Sequence, residues 1–253
     1  MYSSLLKQLY IEGRKIIEEY RLMNEPITVS VRSLKPEEAI GKPSMNEYAI
    51  LKGREVMIEA VFKGYRGQAF TDTPKQFNGL LREIFELDLR NLRNRSIFIA
   101  VLNAVMAYLG LVDKTVHCKD DYPLICGAEL ARYLKELNIR NVGIIGYQPA
   151  MLKSLVEFGF KVRVADANPD NIGKVKCGVT IEPAKADEEV ICWSDLALIT
   201  GSVFANGSLD EILPRYKDKI IIYGVSGAAP TKLLGFKRWC VSKERIYLGK
   251  KGA

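Results

Sequence analysis

Histidine is nearly absent from this chain, with His117 the only one among 253 residues. Any reading that needs a histidine-rich metal centre or a pair of imidazoles is therefore excluded. Cysteine is sparse and irregular: Cys118, Cys126, Cys177, Cys192 and Cys240 form no C-x-x-C and are odd in number. That excludes a zinc-finger pattern and argues against a disulfide framework, so a reducing compartment is expected. No apolar run reaches the roughly 20 residues a spanning helix needs. The longest, Ile97 to Val112, is interrupted by Asn103. Lys7, Glu12 and Arg14 break the apolar pattern of the N-terminus, which does not read as a signal peptide. A cytoplasmic protein is the expectation. The dinucleotide fingerprint G-x-G-x-x-G is missing as well.

The net charge of +7 comes from 37 basic and 30 acidic residues that are interspersed, as in Lys15/Glu18/Glu19 and Lys135/Glu136. Without a basic stripe or a nucleic-acid-binding motif, this is a mixed solvated surface and no nucleic-acid partner is expected. Abundant Lys, Arg and Glu beside scarce His and Gln is a thermophile-like balance.

The chain is long for one open α/β domain, and its pattern changes along its length. In the first half, helical spacing covers residues 3–21, and Ile27 to Arg32, Tyr48 to Leu51 and Val56 to Phe62 read as strands. Gly64 to Pro74 reads as a polar loop. Thr73, Pro74 and Gln76 form a capping box for a helix near Lys75 to Phe85. Ser96 is placed to cap an apolar helix over 97–109, buried on most faces, whose Asn103 then needs partners and is expected to satisfy neighbouring backbone. This half is α+β.

The second half alternates strands and helices. Asn141 to Ile145 runs into the turn Gly146-Tyr147-Gln148, and Pro149 opens a helix that Gly159 ends. Lys161 to Asp166 is the next strand, and so short a strand–helix–strand unit pairs in parallel by a right-handed crossover. Glu189 to Cys192, Leu196 to Thr200, Lys219 to Tyr223 and Arg238 to Ser242 continue the sheet, with Ser208 as a helix cap. The expected fold is α/β: a Rossmann-like, mostly parallel sheet over 113–253 and a smaller α+β domain over 1–112.

Candidate site residues follow from that architecture. Small or polar residues end several strands (Gly146, Tyr147, Gln148; Thr200, Gly201, Ser202; Gly224), where open parallel sheets bind ligands. Asp166 falls about twenty positions after Gly146, where such units place a ribose-binding carboxylate, although the Asn168-Pro169 context equally suits a turn cap. Gln68, Thr71 and Asp72 sit on the loop at 64–74. The segment Val116 to Asp121 gathers His117, Cys118, Asp120 and Asp121 before a helix over 124–137. An imidazole and carboxylates suit a transition metal or proton transfer, whereas acids there also simply favour a helix N-terminus.

Several segments resemble a family of bacterial and archaeal heavy-metal-chelation proteins. They are Gly67 to Asp72, Leu102 to Ala104, Asp113 to Asp121, Ile145 to Pro149, Thr200 to Ser202 and Tyr223 to Val225, within about residues 45–240. The resemblance implies an enolase N-terminal-like domain joined to a Rossmann-like domain around a shared site, with links to corrinoid synthesis or metal homeostasis.

Two functions remain open at this point. One is a metal-handling or chelatase-like protein whose interdomain cleft takes a transition metal, a small organic ligand or both. His117, Asp120 and Asp72 are then candidate catalytic groups, and His117 and Asp121 candidate metal ligands. The other is an S-adenosylmethionine- or nucleotide-binding enzyme using the crevice residues and Asp166. Partners are small molecules or metal, with no membrane, and a homo-oligomer is expected on general frequency alone.

Overall fold

Ser3 starts helix α1 (Ser4–Glu19) by accepting the Leu6 N–H on its Oγ at 3.2 Å. The stripe Leu5, Leu6, Leu9, Gly13 and Ile17 is buried, as apolar spacing of three and four requires. The structure, a computed structural model, describes residues 2–24, 28–53 and 55–240. Strand β1 (Thr28–Leu34) follows, then a short helix α2 (Pro36–Ile40) with proline at its first position. The residues expected as a strand over 48–51 form a 3-10 turn, Ala49–Lys52, closed by Gly53 at φ 68°.

Strands β2 (Val56–Phe62) and β3 (Tyr65–Thr71) form a hairpin in which Phe62 pairs with Tyr65. The connecting Lys63 and Gly64 both have positive φ, 49° and 82°, the two-residue geometry that matches strand twist. Most of the stretch expected to be a loop is thus a strand. Its polar composition hid it because Gln68 is buried and satisfied on the sheet, donating to Glu59 Oε2 at 2.7 Å. The expected helix over 75–85 is also corrected. Strand β4 (Phe77–Leu80) pairs antiparallel with β1, and only a 3-10 turn, Leu81–Phe85, follows. Thr73 caps no helix; its N–H donates to Thr71 Oγ1. The small sheet is antiparallel with order β3-β2-β1-β4.

Helix α3 (Leu92–Tyr108) begins earlier than expected because Asn91, not Ser96, caps it by accepting the Arg93 N–H. Ser96 lies inside the helix and turns its hydroxyl to Leu92 O and Thr71. Residues from Arg95 to Met106 are buried without a break, as suits a helix covered on nearly all sides. It packs so tightly on β3 that a Cβ on Gly67 would stand 2.2 Å from Ala104 N and 2.3 Å from Ala100 O. Only glycine fits there.

The second half runs α4 (Tyr122–Glu136), β5 (Asn141–Ile145), α5 (Pro149–Glu157), β6 (Lys161–Asp166), β7 (Val175–Lys176) and β8 (Val179–Pro183). It continues with α6 (Asp187–Trp193), β9 (Leu196–Thr200), α7 (Val203–Asn206), β10 (Ile220–Tyr223), α8 (Ala228–Leu234) and β11 (Lys237–Trp239). The sheet order is β11-β10-β9-β5-β6-β8-β7, parallel except for β7. The strand expected at 189–192 is helix α6, whose first turn carries Asp187, Glu188 and Glu189, as acids favour. The strand beside β6 is β8 instead. Ser208 caps no α-helix, since α7 precedes it. The edge strand expected over 238–242 is seen to Trp239, and its last residues lie outside the described ones.

One face of the large sheet packs on α4 and α5 through Leu130, Leu134, Leu152 and Leu155. The other shares a continuous core with α1, α3 and the small sheet. Arg95 reaches across that junction, donating to both Asp210 oxygens (2.5 and 2.8 Å) and to Phe204 O. Asn103, fully buried, donates to Gln68 O (2.9 Å) on the small sheet and to Val225 O (3.0 Å) in the turn that follows β10 of the large one. Its Oδ1 accepts the Ala229 N–H at 2.7 Å. Among the described residues no helix is long and apolar enough to cross a membrane.

Replacing Asn103 with Leu keeps its branching and heavy-atom count but strands three buried backbone groups. Urea denaturation is expected to show a loss of about 3–5 kcal/mol, since each unpaired buried group costs about 1–3. A loss under about 1 kcal/mol would show that these bonds are replaceable.

Candidate functional site

The chain leaves β5 toward β6 on one side and later returns to β9 on the other, so a crevice opens at the carboxyl ends of β5 and β9. Gly146 makes the turn at φ 87°, and a Cβ there would stand 2.6 Å from Thr200 Cγ2. The crevice widens into a cavity of about 740 Å³, within the usual range of small-molecule sites. Gly146, Tyr147, Gln148, Asp166 and Gly224 line it, as do Thr200, Gly201 and Ser202.

Several of these residues are already engaged. Asp166 Oδ2 accepts the Tyr147 N–H, and its Oδ1 accepts the Asn168 N–H at 2.6 Å and Asn171 Nδ2 at 3.4 Å. Asp166 therefore holds the β5–α5 and β6 turns together, leaving less of it for a ribose. Gln148 caps α5 by accepting the Met151 N–H. Thr200 Oγ1 and Ser202 Oγ share a hydrogen bond at 3.0 Å. The Tyr223 hydroxyl donates to Gly146 O at 2.5 Å, and burial together with Asp166 raises its pKa.

The first half supplies the facing wall through Glu47, Tyr48, Ile50, Glu55, Phe70 and Asp72. Phe70 is fixed there by its N–H, which donates to Ser226 Oγ at 2.9 Å. Residues 41–48 cross between the halves as a strap. Lys42 N donates to Asp120 Oδ1 (2.8 Å) and Ser44 N to Asp121 Oδ1 (2.7 Å). Glu47 accepts the Tyr147 hydroxyl and pairs with Lys176 at 2.9 Å.

Asp120 and Asp121 are thus positioned by the strap, and neither lines the large cavity. The Ser44 backbone N–H holds the Asp121 carboxyl below its ordinary range. His117 does line the cavity, with Phe70 edge-on at 5.5 Å. Its N–H donates to Gln68 Oε1 (2.7 Å), its Nδ1 meets Cys118 O (2.5 Å), and burial lowers its pKa, so the ring is neutral. A neutral ring that donates from Nδ1 keeps a lone pair on Nε2. Cys118 lies in the same wall, its thiol pushed up to about 12 by burial, with Cys126 and Cys240 adding to the shift. Asp72 is at the exposed rim. The structure places His117 and Asp72 on the cavity and Asp120 and Asp121 on the strap, so the four do not converge. Among the described residues no three His, Cys, Asp or Glu side chains gather as a metal centre, and a resident ion held by three protein ligands does not fit.

The most perturbed acids are two that sequence reasoning passed over. Glu55, half-buried in the cavity wall, is pushed up to about 7 by desolvation and by Asp166 and Asp72. Asp187 is 7% exposed, lines the cavity and is pushed up to about 7 by burial and Asp166. Its Oδ1 is buried without a hydrogen-bond partner. No cation contributes to either shift. Glu55 was hidden between a presumed turn and a strand. Asp187 stood in an acid run whose helical first turn was the available signal.

Residues 129–236 match the family DUF364, described as "Putative heavy-metal chelation". Solved DUF364 structures share the fold. A Pyrococcus horikoshii protein of unknown function superposes with a TM-score of 0.54 at 18% identity, covering 88% of this chain and 80% of that one. A Desulfitobacterium hafniense protein, also of unknown function, gives 0.50 at 15% identity over 72% of each chain. These likenesses to DUF364 establish architecture and leave chemistry to the residues. No curated protein matches the chain.

The raised carboxyls carry a pH signature. Asp187 binds its proton more tightly folded (about 7) than at its ordinary 3.8. Its protonated form favours the fold, and this contribution is lost as pH rises through that window. Asp187→Asn should therefore raise the melting temperature by several degrees more at pH 8 than at pH 5 in a scanning calorimeter. An equal gain at both pH values would show that Asp187 titrates normally.

Proposed function

We propose that the interdomain cleft binds a small organic ligand that carries positive charge, either of its own or through a chelated transition metal. The observation that carries this reading is the set of cavity carboxyls, Glu55, Asp166 and Asp187, in which burial first and Asp166 second oppose the ionisation of Glu55 and Asp187 and no cation offsets either effect. Such a set is relieved either by protons or by a cationic guest. The heavy-metal description of DUF364 favours metal handling, and the lack of three converging ligands favours a metal that arrives as cargo inside an organic chelate. The cavity volume and the apolar surfaces of Tyr48, Ile50, Phe70, Met151 and Trp239 suit a guest of that size.

S-adenosylmethionine is a second reading with its own support. Asp166 ends the strand where a ribose-binding carboxylate is commonly found, and a sulfonium would meet the same acids. Its weakness is that both Asp166 oxygens already accept hydrogen bonds.

A thermal-shift panel on metal-stripped protein separates the readings. Transition-metal ions alone, metallated tetrapyrroles, S-adenosylmethionine and neutral nucleosides are compared. A stabilising ligand at 100 times its dissociation constant should add about 2.7 kcal/mol. Stabilisation by cationic organic ligands or chelates beyond that by neutral nucleosides is expected. Stabilisation by bare ions alone would refute the proposal, and stabilisation by S-adenosylmethionine alone would select the second reading.

A further inference from the structure

Asp187 is the one described cavity carboxylate with a buried oxygen that lacks any hydrogen-bond partner. An acceptor in that condition costs stability unless a donor reaches it. Its surroundings supply none. On β6, Arg163 is bound to Glu182 (2.6 Å) and Glu189 (2.8 Å), Lys161 is exposed, and only Asp166 acts on Asp187. Lys185, on the 3-10 turn before α6, is exposed, and β5 and β9 carry no titratable side chain. On α6 itself, Glu188 pairs with Arg215, and Glu189 with Arg163. Across the cavity, Glu55 is influenced by Asp166 and Asp72, while Tyr223 already donates to Gly146.

We infer that Asp187, with Asp166 and Glu55, forms a subsite for a protonated amine of the cleft's ligand, the amine donating to the Asp187 carboxylate. This rests on the proposed cationic-ligand reading and specifies which part of the ligand sits where. An ammonium suits the place better than a bare ion because it brings the missing donor and needs no three converging ligands. Glu55 and Asp187 hold protons near neutrality, so amine and protons compete there. Binding therefore strengthens as pH rises from 6 to 8, where the acids ionise while an alkylamine stays charged.

The test uses two probes of one shape, phenethylammonium and phenethyl alcohol, titrated into ¹⁵N-labelled full-length protein and followed through the amides of residues 146–148 and 187–190. At pH 8 the ammonium should bind about tenfold more tightly than the alcohol, as expected for a charge-assisted hydrogen bond in a buried site. That advantage should shrink at pH 6 and vanish in Asp187→Asn, with Glu55→Gln reducing it. Equal affinities of the two probes would overturn the subsite while leaving a ligand-binding cleft. An advantage that survives Asp187→Asn would also overturn it. Perturbation of those amides by neither probe would overturn both the subsite and the cleft reading.

Discussion

The amide of Asn103 joins the two sheets at the point where the cleft begins. Its NH₂ group binds a carbonyl of β3 and a carbonyl of the turn after β10, and its oxygen takes the amide of Ala229. A polar side chain with no exposure is tolerated only when its hydrogen bonds are met. Here meeting them fixes the relative position of the halves. Gly67 lets the helix lie against β3, and Phe70 then meets Ser226 across the junction. The wall bearing Phe70 and His117 is thereby set opposite the ends of β5, β9 and β10.

What that junction holds in place is electrostatically costly. Glu55 and Asp187 sit where burial and Asp166 oppose their ionisation, and the fold retains them without a compensating lysine or arginine. Strain of this kind concentrates at functional sites, where a ligand supplies what the fold withholds. The strap over 41–48 adds to the enclosure. Asp120, Asp121 and the Tyr147–Glu47–Lys176 chain all tie it across the halves. Asp120 and Asp121, which look like ligands in the sequence, thus serve the frame, and Glu55 and Asp187, which look unremarkable there, line the cavity.

The βαβ unit around Gly146 was legible because its strands are short apolar runs with proline and glycine at the helix ends. The crevice residues from Gly146 to Gly224 were legible for the same reason, and the structure gathers them on one cavity. The hairpin strand β3 was not, because Gln68 and Gly67 owe their burial to Glu59 and to α3, partners distant in sequence or element. Helix α6 was mistaken for a strand because Val190 to Cys192 is β-branched and apolar locally, while the acids before it decide the matter. The roles of Asp120 and Asp121 depended on the amides of Lys42 and Ser44, almost eighty positions away. No local pattern could show them.

The central claim is that the cleft holds carboxyls poised for a cation. It is tested most directly by carboxyl ¹³C chemical shifts of Glu55 and Asp187, assigned by Glu55→Gln and Asp187→Asn and followed from pH 3 to 9 in the ligand-free protein. Midpoints near 7 for both are expected, against ordinary values of 4.5 and 3.8. Midpoints near those ordinary values would contradict it, because such groups would be solvated and in no need of a guest.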